Sequence, residues 1–296
     1  MSVATESNRW IVFNNQNIIP SYNFVDFYRE ESVSWTKEKR DMLYEQMKEA
    51  YNATFSGWDF SYIEQFGGKP EFQVPWNYAQ AVKQKIPAAE SMLDLGTGGG
   101  EYLTSLGPLP INVAATEAYE PNVAVAEKTL APLGIKVIKT DYGAQEQDPL
   151  PFEDCSFDLI TSRHESYESM EIYRILKPGG IFITQQVGTR NSERLRTIFG
   201  VLDDQETSFD WNLQNARKFL LDAGMEIDEA SQSVANQRFY DIRSVVYFLK
   251  VIEWEFPHFS LDNDLGRLEN IALLIERDGY FEDICHRFFL VARKLT

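Results

Sequence analysis

The sequence predicts an α/β fold with an open, mostly parallel sheet and helices on both of its faces. The first observation is the short apolar run at 91–95, typical of a buried strand, which a glycine-crowded turn joins to the start of a helix. The second is that strand-like runs at 111–116, 136–140 and 157–161 alternate with helix-like segments. Such alternation is typical of parallel strands joined by crossover helices.

The composition favours a packed protein and argues against nucleic acid as a partner. Of the 296 residues, 44% are hydrophobic and 14% are aromatic, which is enough for a substantial core. The 45 acidic and 28 basic residues give a formal net charge of −17. Proteins that bind a nucleic acid backbone usually present a basic face, although a local basic groove within an acidic total would still permit such binding.

Hydropathy and cysteine usage predict a cytoplasmic protein with no membrane anchor. The sequence contains no run of about 18 apolar residues, so no membrane span is expected. Residues 1–9 are polar and lack a basic segment followed by an apolar one, which predicts no secretory signal. Cys155 and Cys285 are far apart, form no metal-binding spacing and are expected to be free thiols.

The turn after residue 95 discriminates between nucleotide-like ligands. A dinucleotide-binding turn has a third glycine three residues after the second, but after Gly96 and Gly98 that position is Glu101. A phosphate-binding loop would end in Gly-Lys-Ser/Thr, and no such triplet follows. Asp94 precedes the turn by two residues, where it would repel a pyrophosphate and attract a cation. These residues predict a ligand with an ammonium or sulfonium centre.

The segment Asp-Leu-Gly-Thr-Gly-Gly-Gly-Glu at 94–101 resembles the first motif of the class I S-adenosylmethionine-dependent methyltransferases. Leu-Pro-Phe at 150–152, Phe-Asp-Leu-Ile-Thr at 157–161 and Leu-Lys-Pro-Gly-Gly at 176–180 are similar to further motifs of that family. The resemblance covers roughly residues 76–187. It implies a Rossmann-like, seven-stranded, mostly parallel sheet whose final strand is antiparallel, and S-adenosyl-L-methionine as the cofactor.

The resemblance also implies which residues bind the cofactor. Glu117 ends the second predicted strand 23 residues after Asp94, close to the spacing expected of a carboxylate that accepts from ribose hydroxyls; alone it would be a surface carboxylate. Asp141 would accept from the adenine amine and Tyr142 would line the ring, the alternative being a loop carboxylate without that role. The predicted cofactor-binding residues are Asp94, Gly96, Thr97, Gly98, Gly100, Glu117, Asp141 and Tyr142.

Residues 162–165 leave the fourth predicted strand, where the family places the substrate. His164 could take a proton from an attacking hydroxyl or amine near neutral pH, or it could hold the loop by a hydrogen bond to Glu165. Arg163 could pair with a substrate carboxylate or with an internal acid. His164 and Arg163 are therefore the candidate catalytic residues, and no metal site is predicted.

Helical patterns outside these motifs predict a cap. Apolar residues recur at helical spacing in 36–52, 240–254 and 265–277. We predict an N-terminal helical extension at 1–70, a cofactor-binding core at 71–235, and a helical cap insertion with the final core strand at 236–296. The insertion, between the last two strands, would cover the strand ends and determine specificity, whereas the N-terminal helix could instead be a solvated helix packed on the core.

These observations together predict a methyltransferase that acts on a small-molecule acceptor. The alternatives are a nucleic acid or protein acceptor, and an S-adenosylmethionine-binding protein without transfer activity. An oxidoreductase of similar fold is disfavoured because the third glycine is missing.

Overall fold

A central sheet organises the computed structural model, which describes residues 35–55, 60–66, 74–140, 149–201 and 210–295. Within these residues the strands are β1 Ser91–Leu95, β2 Asn112–Glu117, β3 Lys136–Lys139, β4 Phe157–Arg163, β5 Leu176–Val187, β6 Met225–Phe239 and β7 Phe281–Lys294. They form a seven-stranded sheet in the order β3-β2-β1-β4-β5-β7-β6. Strands β1 to β5 pair in parallel, and β7 pairs antiparallel with both β5 and β6. The predicted fold class is confirmed.

Helices connect the strands and lie beyond them. Within the described residues they are α1 Lys37–Asn52, α2 Ser61–Glu64, α3 Tyr78–Lys85, α4 Glu101–Ser105, α5 Glu120–Leu130, α6 Ser169–Ile175, α7 Glu193–Phe199, α8 Leu213–Asp222, α9 Ile242–Val251 and α10 Leu265–Asp278. Polar side chains cap the N-termini of several helices. At α3 the Asn77 side chain accepts from the Gln80 N–H, and at α6 the Glu168 side chain accepts from two backbone N–H groups.

The sheet has an apolar core on each face. Phe288 and Phe289 are adjacent on β7 and therefore project to opposite faces. Phe289 packs in a cluster with Leu103 of α4, whereas Phe288 packs in a second cluster with Leu220 of α8. The two clusters confirm that helices cover both faces of the sheet. Because β1, β4 and β5 pair in parallel, their carboxyl ends lie at one edge.

Strands β6 and β7 form a long antiparallel hairpin. The two strands pair from Met225 opposite Lys294 to Phe239 opposite Phe281. Strand β5 ends opposite Arg287 of β7, so the hairpin continues past the end of β5. It forms an arm that extends beyond the carboxyl ends of the parallel strands.

Helices α1, α9 and α10 pack together with this arm. Met47 of α1, Tyr247 of α9, Leu268 of α10 and Phe281 of β7 belong to one buried cluster. The Tyr247 hydroxyl donates to the Thr54 carbonyl at 3.3 Å, which ties the insertion to the chain after α1. The predicted domain boundary at residue 235 falls inside β6, and residues 1–34 of the predicted extension lie outside the described residues.

The structure bears on two further sequence predictions, the absence of a membrane span and the presence of two free thiols. In the described part of the chain, none of the helices combines the length and the apolar character needed to cross a membrane. Both cysteines are free thiols, as predicted: Cys155 is exposed and Cys285 is buried.

Candidate cofactor and acceptor site

The turn between β1 and α4 presents backbone groups at the carboxyl edge of the sheet. Gly96 and Gly98 each have a φ of 62°, a conformation that costs glycine little and other residues more. The Thr97 N–H donates to the Thr116 carbonyl at 2.9 Å, and the Gly96 N–H donates to the Thr116 hydroxyl at 3.3 Å. These bonds hold the turn against the end of β2.

Asp94 is a buried carboxylate directly before this turn. Its Oδ1 accepts a hydrogen bond from the Thr161 hydroxyl at 2.6 Å. Burial raises its pKa to about 6, although the Thr161 hydrogen bond and the nearby Arg163 act in the opposite direction. An additional cation beside Asp94 would therefore stabilise its charged form.

Glu117 at the end of β2 is joined to the same turn. Its Oε2 accepts from the Gly98 N–H at 2.6 Å and its Oε1 accepts from the Tyr119 N–H at 2.8 Å. Burial raises its pKa, the two backbone bonds lower it, and Asp94 raises it further. The structure thus brings Asp94, Glu117 and the glycine turn together, while Asp141 and Tyr142 lie outside the described residues.

Glu165 contributes a third carboxylate, which the sequence suggests only as a hydrogen-bond partner for His164. A Cβ placed on Gly96 would lie 2.4 Å from both Cβ and Oε2 of Glu165, so this side chain covers the glycine. Burial and the charge of Glu117 raise its pKa to about 7. The available signal is its position just after β4, at the same edge of the sheet as Asp94 and Glu117.

His164 follows β4 in a left-handed conformation, with a φ of 68°. Its Nε2 lies 2.9 Å from Nε2 of Gln185, and the Gln185 Oε1 accepts from the indole N–H of Trp76 at 2.7 Å. Because an indole only donates, the Gln185 amide must turn its NH₂ towards His164, whose Nε2 then accepts. This network assigns the ring proton to Nδ1, and the partner of His164 is Gln185 rather than Glu165.

The His164 imidazole is neutral near pH 7. His164 is exposed, although neighbouring protein groups desolvate part of its imidazole. This desolvation, together with the charges of Arg287 and Arg163, holds its pKa well below the usual value. The ring can therefore accept a proton only when Nε2 is released from the Gln185 amide.

Two guanidinium groups stand near His164. Arg163 ends β4 opposite Gln185, with Cζ 3.9 Å from the centre of the Tyr102 ring, a cation–π contact. Among the described residues, no carboxylate forms an ion pair with Arg163. Arg287 lies opposite Val187 on β7, and its Nη1 donates to Asn191 Oδ1 at 2.6 Å. No sequence pattern points to Arg287, because β7 reads there as an ordinary core strand.

The strand order, the glycine turn and the acidic residues at the ends of β1 and β2 agree with the fold that the sequence motifs imply. Residues 93–184 match the family described as a methyltransferase domain. This match lies inside the region, roughly residues 76–187, in which the sequence motifs resemble the class I S-adenosylmethionine-dependent methyltransferases.

The chain is also similar to individual proteins. It is 29% identical over 103 residues to the uncharacterized methyltransferase YcgJ of Bacillus subtilis, a match that covers 32% of this chain and 40% of that protein. The crystal structure of the Bacillus subtilis YcgJ protein is 16% identical, with 74% of this chain and 98% of that chain covered and a TM-score of 0.49. The phosphoethanolamine N-methyltransferase 2 of Haemonchus contortus, solved with S-adenosylhomocysteine, is 20% identical. The match covers 80% of this chain and 57% of that chain, with a TM-score of 0.43.

Proposed function

We propose that this protein is an enzyme that transfers a methyl group from S-adenosyl-L-methionine to a small-molecule acceptor. The observation that carries the proposal is the hydrogen bond from the Gly98 N–H to Glu117, which fixes an acidic strand tip beside a positive-φ turn and the buried Asp94. S-adenosylmethionine brings a methyl group that its sulfonium has already activated. The protein's own task is then to hold the cofactor, position the acceptor and exclude water.

The residues at the turn fit this cofactor chemically. Asp94, Glu117 and Glu165 are three carboxylates at one edge of the sheet, and within the described residues none of them forms an ion pair with a lysine or arginine. A ligand with ammonium and sulfonium charges would bring cations to this acidic edge. In this proposal Asp94 and the turn at Gly96, Thr97, Gly98 and Gly100 hold the amino acid end, Glu117 holds the ribose, and Asp141 and Tyr142 remain the predicted adenine contacts.

The acceptor would bind next to His164, at the same edge of the sheet as the glycine turn, so that its reacting atom can reach the cofactor's methyl group. The neutral imidazole can take a proton from a hydroxyl or amine if the acceptor replaces the Gln185 hydrogen bond at Nε2. Arg163, held on the Tyr102 ring, would position an anionic group of the acceptor. The arm of β6 and β7, with the helices packed on it, lies at this edge of the sheet. The net charge of −17 disfavours a nucleic acid acceptor, because it would repel the phosphate backbone.

His164→Asn is expected to lower the rate of methyl transfer by about 10²- to 10⁴-fold, the usual contribution of a general base, while the Kd for S-adenosylmethionine stays within about twofold. Asparagine tolerates the left-handed backbone of this position, so the change removes the imidazole without adding strain. His258→Ala, at an exposed position, is the control. Lost cofactor binding in His164→Asn would indicate a structural role.

The affinity for S-adenosylmethionine is expected to fall as the pH is lowered from 8 to 5. The folded-state pKa values of Asp94 and Glu165 are raised to about 6 and about 7, so both carboxylates become protonated in this range. Each protonation removes a charge that would face the cationic cofactor, and we expect an overall loss of at least about tenfold. Calorimetry across this range measures the effect, and a Kd that is constant or lower at pH 5 would contradict it.

A transfer assay tests the proposed function. The protein is incubated with S-adenosylmethionine carrying a radiolabelled methyl group and with a cell extract divided into small-molecule, protein and nucleic acid fractions. Label in the small-molecule fraction supports the proposal. Label confined to protein or nucleic acid would overturn the acceptor class, and cofactor binding without any transfer would indicate a non-catalytic S-adenosylmethionine-binding protein.

A further inference from the structure

Glu165 lies at a particular point along the proposed cofactor. Its side chain covers Gly96, which is two residues after Asp94 and two before Gly98, the residue that donates to Glu117. The charge of Glu117 acts on Glu165 directly enough to raise the pKa of Glu165. The Glu165 carboxylate therefore lies over the middle of the turn that leads from Asp94 to Gly98, the residue bonded to Glu117.

In S-adenosylmethionine the atom between the amino acid end and the ribose is the sulfonium sulfur, which joins the ribose to the methionine chain. Methyl transfer converts this positively charged sulfur into the neutral thioether of S-adenosylhomocysteine. A carboxylate at this point would thus face a cation before transfer and an uncharged sulfur afterwards. After transfer it would again be left beside Glu117 without the cation that offsets their repulsion.

The position of this carboxylate is set by its backbone. The Glu165 carbonyl accepts from the Gln186 amide at 2.8 Å and from the Ser162 hydroxyl at 2.9 Å. Within the described residues, one side chain donates to the Glu165 carboxylate: the Ser166 hydroxyl, over a long distance of 3.4 Å. The loop is therefore anchored through the main chain, while the carboxylate is turned to the glycine.

We propose that Glu165 contacts the sulfonium of the cofactor and makes the site select its ligand by charge. With this carboxylate, the preference for S-adenosylmethionine over S-adenosylhomocysteine is larger than it would be without it. This inference rests on the proposed function. It identifies Glu165 as a further cofactor-binding residue and gives the site a means of releasing its product once the positive charge has gone.

Calorimetric titration with both ligands at pH 8, where the carboxylate is ionised, tests the proposal. Glu165→Gln keeps the shape over Gly96 and removes the charge, and we expect it to weaken S-adenosylmethionine binding roughly tenfold while S-adenosylhomocysteine changes by less than about twofold. Glu127→Gln removes an exposed carboxylate from α5 and should change neither Kd.

The outcomes separate the two claims. An unchanged ratio of the two Kd values in Glu165→Gln would overturn the role of Glu165, whether the variant binds both ligands normally or loses both equally through altered packing. A wild-type protein that binds neither ligand would instead overturn the proposed function itself, and the inference with it.

Discussion

Gly96→Ala is expected to reduce the affinity for S-adenosylmethionine by about 30-fold or more. The left-handed φ of 62° costs a residue with a Cβ roughly 1–2 kcal/mol. The new methyl group would also lie 2.4 Å from Glu165, an overlap whose relief typically costs about 1–3 kcal/mol. Either the turn or the Glu165 loop must move, and both movements displace groups that would hold the cofactor. Calorimetry measures the loss.

Gly134→Ala provides the matched control for this variant. Gly134 has a φ of 71°, but an added Cβ would meet no atom within 4 Å. It should lose stability through backbone strain alone, by about 1–2 kcal/mol, and keep its cofactor affinity. If both variants bind S-adenosylmethionine like the wild-type protein, the turn is not the cofactor cradle.

Asp94→Asn is expected to weaken S-adenosylmethionine binding by about 1.5–3 kcal/mol, the usual scale for a hydrogen bond to a charged group, or roughly 10- to 150-fold. The asparagine keeps the size of the side chain and can still accept from the Thr161 hydroxyl, so the change removes mainly the negative charge. Calorimetry at pH 8, above the raised pKa of Asp94, gives the full difference.

Asp158→Asn is the control for Asp94→Asn, because it removes a strand carboxylate that lies away from the proposed cofactor site. Asp158 lies near the start of β4, at the opposite edge of the sheet, where it pairs with Lys177 at 2.9 Å and accepts from the Ser91 N–H. Its replacement should lower the free energy of unfolding and leave cofactor affinity unchanged. An Asp94→Asn protein with wild-type affinity would remove Asp94 from the cofactor site.

The sequence predicts the cofactor side of this site well because the signals there are local. A glycine turn needs particular residues at fixed spacing, and an acid at a strand tip follows directly from where an apolar run ends. Their positions in the chain are therefore enough to predict that Asp94, Gly98 and Glu117 share one edge of the sheet. The hydrogen bond from Gly98 to Glu117 agrees with that placement.

The acceptor side could not be predicted to the same depth because its contacts join residues distant in the chain. The tautomer of His164 depends on Gln185 and, through it, on Trp76, which lies 109 residues before Gln185. Arg287 enters the site only because β7 runs antiparallel beside β5 and continues into the arm. The position of Glu165 depends on a left-handed residue before it, and no local pattern indicates a positive φ at a histidine.

The most direct measurement is a calorimetric titration of the wild-type protein with S-adenosylmethionine and, separately, with NAD. We expect S-adenosylmethionine to bind at a single site that Asp94→Asn weakens, and NAD to produce no binding heat, because the turn carries Glu101 in place of the third glycine and an acid where a pyrophosphate would lie. Binding of NAD without binding of S-adenosylmethionine would contradict this account.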